Sequence, residues 1–300
     1  MTHAGVEAIR AFLVEANLLS GPLEEQRAAM DAAAAGAPPP AGVGVEAVTL
    51  AGRPAEWLVP GDAARDAAVL YFHGGGYCSG SLDSHRGIAG RIARAAGVPV
   101  VSLGYRLAPE DPFPAAVEDG LAAYRALLGS GLDPSRLAVS GDSAGGGLAV
   151  ATLVTLRSEG LPLPAAAVCL SPWVDLTQSA PSYDEVGTDD PMVSKGELDL
   201  LAAAYLGGTD PHDPTASPLF ADLSGLPPLR IEVGGLEVLR DDAVRLSERA
   251  AAAGVAVELV EWPELIHVFQ AFPGELLPEA DRSIRGIGSW LARHVVGSAA

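Results

Sequence analysis

Short, mostly apolar runs recur along the chain at about 45–51, 54–59, 67–72, 98–104, 136–141, 165–170, 228–234 and 256–262, and they predict strands. From Ser84 onward, helical patterns alternate with most of them. That alternation predicts a mainly parallel sheet covered on both faces, preceded by an antiparallel pair. Residues 4–34 instead carry helical spacing, with Ile9, Phe12, Leu13 and Leu18 on or near one face. The low-complexity stretch Ala32–Pro40, with its three closing prolines, breaks that helix and reads as a linker. The interval 183–214 carries Asp, Gly and Pro turns around a helix at Gly196–Leu206. No internal repeat is present. The expected organisation is an N-terminal helical and linker segment over 1–44, then one domain over 45–300 with an insertion at about 183–214.

Composition narrows the chemistry. The 300 residues are 49% hydrophobic, enough for one large core. Thirty-eight acidic against 19 basic residues give a formal charge of −19. Such a surface repels nucleic acid and anionic membranes, and it suits small neutral substrates better than strongly anionic ones. Cys78 and Cys169 make no disulfide framework and are too few for a structural zinc site, so no metal is expected. Met1–Glu7 lacks a basic n-region and an apolar h-region, and no apolar stretch of about 20 residues avoids charge. Neither a signal peptide nor a membrane span is predicted, and the expected location is the cytoplasm.

Two glycine-rich turns, each after a short apolar run, carry the candidate chemistry. The first is His73-Gly74-Gly75-Gly76-Tyr77, and the second is Gly141-Asp142-Ser143-Ala144-Gly145, a G-x-S-x-G match. A serine hydroxyl is a poor nucleophile that needs a base and a projecting backbone. At a sharp strand-to-helix turn, crowding favours glycine two residues to either side, here Gly141 and Gly145. The following segment, Gly146 to Val154, reads as a buried helix whose N-terminus favours a developing anion. A lone G-x-S-x-G is also met in ordinary strand–helix turns. The triple glycine alters the balance, because it lets backbone N–H groups approach a ligand unobstructed. Gly75, Gly76 and Ala144 are the candidate oxyanion donors.

For such a site the chain order is Ser, then Asp or Glu, then His. After Ser143 only His212, His267 and His294 remain. His212 sits in a turn-rich loop, and His294 near the end of an amphipathic terminal helix. His267 follows the last strand-like run, so it is the candidate base. Glu237 is the first carboxylate beyond the run at 228–234 and the chosen acid, with Asp241 and Asp242 as alternatives at the start of a helix. Tyr77, Trp173, Leu236, Ile266 and Val268, the bulky residues beside these loops, are the candidate pocket.

These residues resemble the bacterial hormone-sensitive-lipase-like family (family IV esterases) of the α/β-hydrolases, over roughly Ala55 to Phe272. The matching motifs are the two glycine turns, Tyr105-Arg106-Leu107-Ala108-Pro109-Glu110 running into Pro112-Phe113-Pro114-Ala115-Ala116, Ser171-Pro172-Trp173, Asp190-Pro191-Met192, Ala216-Ser217-Pro218 and Ile266-His267. The resemblance implies an α/β-hydrolase fold of about eight strands and a helical cap formed by the N-terminal segment and the insertion. It also implies serine carboxylesterase activity on short- to medium-chain acyl esters through an acyl-enzyme, with no cofactor. One departure stands at Glu237-Val238-Leu239-Arg240-Asp241-Asp242, where the family often has D-P-L-x-D-E; some members use Glu there, and the proline is absent. Some relatives are lactone hydrolases, so a lactonase, or an amidase, would use the same residues. Plant hormone receptors of this likeness bind without catalysis but lack the histidine that His267 supplies here. Family members often form homodimers through the last strand, and an edge strand at 256–262 is compatible with that.

Overall fold

The computed structural model describes residues 3–16, 21–34, 39–187 and 190–296. Leu18, and residues 35–38 of the expected linker, lie outside that description. Helices α1 (Ala4–Ala16) and α2 (Leu23–Ala34) come first. Strands β1 (Val43–Leu50), β2 (Arg53–Pro60) and β3 (Ala68–Phe72) follow, then α3 (Leu82–Ala96), β4 (Val100–Leu103) and α4 (Ala115–Gly129). Next are β5 (Leu137–Asp142), α5 (Ala144–Ser158), β6 (Ala166–Leu170), α6 (Ser182–Glu185) and α7 (Lys195–Leu206). The chain closes with β7 (Leu229–Gly234), α8 (Arg240–Ala252), β8 (Val257–Trp262) and α9 (Pro278–Val295). Every strand run read from the sequence is a strand, with ends differing by one or two residues.

The eight strands form one sheet in the order β1-β2-β4-β3-β5-β6-β7-β8. β2 runs antiparallel to both β1 and β4, and β4 through β8 are parallel. Successive side chains of a strand face opposite sides of the sheet. In β3, Leu70 and Phe72 join the core beneath α4, α5 and α8, while Val69 and Tyr71 pack with Ile88, Ile92, Ile287 and Trp290 of α3 and α9. Both faces of the inner strands are dry, so these strands read as continuous apolar runs without alternation.

The first helix keeps Ile9 and Leu13 on its packed face, and Phe12 departs from it. Val6 and Ile9 are buried against Leu265, Ile266, Phe269 and Leu277, whereas Phe12 is 51% exposed. α2 is held mainly by polar contacts. Arg27 donates to the carbonyls of Cys78 (2.7 Å) and Ala108 (2.8 Å) and pairs with Glu110, and Asp31 accepts from the Ser81 hydroxyl. α2 is thereby fixed over the loop that follows β3.

Candidate active site

The loops after β3, β5, β6, β7 and β8 all lie at the same end of the parallel strands, where open α/β sheets bind ligands. Ser143 is the hinge between β5 and α5, with φ 53° and ψ −123°, a conformation that non-glycine residues rarely adopt. Its carbonyl accepts from the N–H groups of Gly147 and Trp173, and its own N–H donates to Leu170. These bonds hold the turn closed. A Cβ on Gly141 would run into the Gly145 carbonyl, and one on Gly145 would run into the Phe72 carbonyl. Glycine is required here because two backbones meet.

The HGGG turn is fastened to the same hinge by Asp142. One Asp142 oxygen accepts from the Tyr71 hydroxyl (2.6 Å) and the Gly74 N–H (3.1 Å), and the other faces His85 Nε2 at 3.3 Å. Burial opposes the Asp142 charge, but His85 and the Tyr71 hydroxyl outweigh it and hold the carboxyl below its usual range. The His73 ring stacks on Tyr105, whose hydroxyl donates to the His73 carbonyl at 2.8 Å. Burial, with His85 nearby, pushes His73 down to about 3, so it is neutral. With Gly74 committed to Asp142, the next two N–H groups are left over. Among the described residues, the N–H groups of Gly75, Gly76 and Ala144 donate to no protein acceptor.

His267 Nδ1 is 2.6 Å from Glu237 Oε2. The other Glu237 oxygen accepts from the Gly234 N–H (2.6 Å) and the Ser171 hydroxyl (2.8 Å). Ser171 Oγ also accepts from the Val268 N–H at 3.1 Å, so it braces the acid and the histidine loop together. Burial disfavours the His267 imidazolium, yet the Glu237 charge and hydrogen bond, helped by Asp190, outweigh it and raise His267 above 6.5. The two alternative acids are engaged elsewhere. Asp242 Oδ2 accepts from the N–H groups of Val174 and Asp175, and Asp241 from that of Ser182.

Ser143, His267, Gly75 and Gly76 open onto one cavity of about 370 Å³. α2 supplies Gln26 and Met30 to its wall, and α7 supplies Glu197, Leu198 and Leu201. Of the five bulky pocket candidates, only Val268 lines it. Tyr77 is stacked on Tyr205 with ring centres 3.8 Å apart, and Trp173 is fully buried beside it. Leu236 and Ile266 pack toward α1. Position beside a loop that lines the cavity did not predict side-chain direction, because large apolar groups turn to the core. His212 is exposed beside Asp210, and His294 caps its own helix through Trp290, so neither approaches the cavity. Burial pushes both cysteine thiols up to about 12.

Sequence reading gave no role to Asp142, Ser171, Asp190 or Glu197. The first three stand inside recognised motifs, which was the available signal. Asp190 Oδ2 accepts from the Val238 N–H, and its other oxygen from Met192 and Val193, which ties the insertion to the Glu237 loop. Glu197 carried no such signal. Among the described residues no group of three or more His, Cys, Asp and Glu side chains is arranged to hold a metal.

Comparison with known proteins identifies the family. A family model described as alpha/beta hydrolase fold matches residues 69–271. An acetyl-hydrolase of Streptomyces hygroscopicus is 45% identical over 299 residues, covering 97% of each chain. The carboxylesterase NlhH of Mycobacterium tuberculosis is 38% identical over 232 residues, 74% of this chain and 72% of that protein. A crystal structure of an esterase from the bacterial hormone-sensitive lipase family superposes with a TM-score of 0.94 at 46% identity, covering 98% of this chain and 99% of that one. The chain therefore belongs to the bacterial hormone-sensitive-lipase-like (family IV) esterases of the α/β-hydrolase superfamily, and it is a carboxylic ester hydrolase.

Proposed function

We propose that the protein hydrolyses short- to medium-chain acyl esters in two steps through an acyl-enzyme on Ser143. The observation that carries this reading is the shared cavity. It joins the Ser143 hydroxyl, the Glu237-held His267 imidazole and the uncommitted N–H groups of the HGGG turn. His267 takes the Ser143 proton as the oxygen attacks the ester carbonyl. The N–H groups of Gly75, Gly76 and Ala144 receive the oxyanion, each worth roughly 3 kcal/mol in the transition state. His267 returns the proton to the departing alcohol, and water releases the acid by the same route. Glu237 holds the imidazole and stabilises its charged form without taking the proton.

The cavity of about 370 Å³ supports a small acyl group, and the relative named acetyl-hydrolase supports the short end of the range. α2 and the 183–214 segment act together as the cap, since both contribute to the wall of the cavity that Ser143 lines. A homodimer through β8, the last strand of the sheet, belongs to the same proposal, and sedimentation velocity tests it. The function itself is tested with p-nitrophenyl esters from acetate to palmitate, using wild type and Ser143→Ala in parallel. Turnover of short esters, abolished in the variant, is expected. Turnover retained in a folded Ser143→Ala protein would overturn the assignment.

A further inference from the structure

Among the described residues, three carboxylates line the cavity, and two are already committed. Asp142 is held by Tyr71, Gly74 and His85, and Asp83 pairs with Arg86. The third, Glu197, is on α7 one turn before Leu201. Residues four apart on a helix share a face. Leu201 sits against the oxyanion turn so closely that a Cβ on Gly76 would collide with its side chain. Glu197 therefore projects into the same space, with Leu198, Val193 and Met192 around it.

Glu197 has a local role that leaves it capacity to spare. Its N–H donates to the Ser194 hydroxyl at 3.3 Å, and the Ser194 backbone favours the charged form of its carboxyl. A carboxylate offers two oxygens and about four acceptor sites, so one backbone partner does not saturate it. Among the described residues, no Lys or Arg lines the cavity to neutralise it. The charged groups that act on it are Asp190 and His267, with Asp83, Asp142 and His85 farther round the wall.

We propose that Glu197 is a specificity-determining residue that selects esters carrying a cationic group on the acyl chain, a few bonds from the carbonyl, over neutral isosteres. This rests on the esterase reading of the same cavity. Desolvation, reinforced by Asp190, pushes the Glu197 carboxyl up to about 7, so the preference belongs to the alkaline side of neutrality.

The test compares kcat/KM for p-nitrophenyl 4-(trimethylammonio)butyrate with that for p-nitrophenyl 5,5-dimethylhexanoate, its uncharged carbon isostere. The ratio of the two values cancels the Ser143 chemistry and the amount of folded enzyme. At pH 8.5 the wild-type ratio is expected to exceed that of Glu197→Gln by about tenfold, the scale of one partly desolvated charge pair. In wild type alone the ratio is expected to rise as pH passes through about 7, which provides a measurement independent of any variant. An equal ratio in both proteins, or a flat wild-type ratio across that range, would overturn the proposal while leaving the esterase intact. Failure to hydrolyse either ester while p-nitrophenyl butyrate is turned over would likewise overturn this proposal alone, whereas failure on every p-nitrophenyl ester from acetate to palmitate would overturn the esterase reading of the cavity and this proposal with it.

Discussion

His267 and Glu237, from the loops after β8 and β7, meet through one 2.6 Å contact between Nδ1 and Oε2. That contact sets the charge state of the imidazole against the burial that would keep it neutral. A general base must be unprotonated to act, and the His267 pKa is raised. Activity should therefore fall as pH drops through a value above 6.5. Glu237→Gln removes the main charge opposing burial and leaves only the Asp190 and Asp142 charges against it. The expected result is a loss of a thousandfold or more in kcat, on the order seen when a triad acid is neutralised. The acid limb of any residual activity should move to lower pH. A pH–rate profile of both proteins checks the direction.

Ser171 braces Glu237 directly and His267 through the neighbouring Val268 N–H, and it does not line the cavity. Ser171→Ala removes a hydrogen bond to the Glu237 carboxylate and leaves the Val268 N–H buried without its acceptor. A destabilisation of about 1–3 kcal/mol is expected in urea unfolding. A roughly tenfold fall in kcat should accompany it, with KM little changed, because the orientation of His267 loosens.

Two glycines should respond oppositely to the same substitution. Gly145→Ala places a methyl group into the Phe72 carbonyl, a backbone neighbour that cannot turn aside. The variant is expected to be insoluble or to unfold several degrees earlier. Gly196 lies in the first turn of α7, and a Cβ there meets nothing within 4 Å. Gly196→Ala should stabilise by roughly 0.5–1 kcal/mol through lower unfolded-state entropy. Thermal unfolding of the pair checks both signs.

Arg27 is the main polar anchor of α2, through the Cys78 and Ala108 carbonyls and Glu110. Arg27→Ala should free the helix that carries Gln26 and Met30 to the cavity wall. The expected outcome is a severalfold higher KM for butyrate esters with a smaller change in kcat, since the groups around Ser143 are held by other bonds. Arg27→Lys should restore only part of the effect, because a lysine cannot span two carbonyls and a carboxylate at once.

Asp242 is fully buried, and desolvation together with Asp175 pushes its carboxyl up to about 8, against an ordinary 3.8. Between those values the folded protein holds a proton that the unfolded chain has lost. Its contribution to stability therefore declines as pH rises through that window. Asp242→Asn keeps an acceptor for the Val174 and Asp175 N–H groups but cannot ionise. Urea midpoints from pH 4 to pH 8 should show a shallower decline in the variant than in wild type.

The sequence by itself determined what is written in short stretches. Eight apolar runs marked eight strands, and Gly141, Ser143 and Gly145 marked a strand–helix hinge, because glycine at those positions answers a local backbone collision. His267 followed from its place after the last strand. The tertiary structure decided which groups meet across the loops. Glu237, Asp241 and Asp242 are near neighbours in sequence, and only their partners separate them: His267 and Ser171 for the first, Ser182 for the second, the 174–175 backbone for the third. The cavity wall was likewise invisible, with four of five candidate side chains turned into the core and Glu197 supplied by a helix with no motif. Strand and turn signals are properties of neighbouring residues. Side-chain direction is set by packing between elements far apart in the chain, and no local pattern records it.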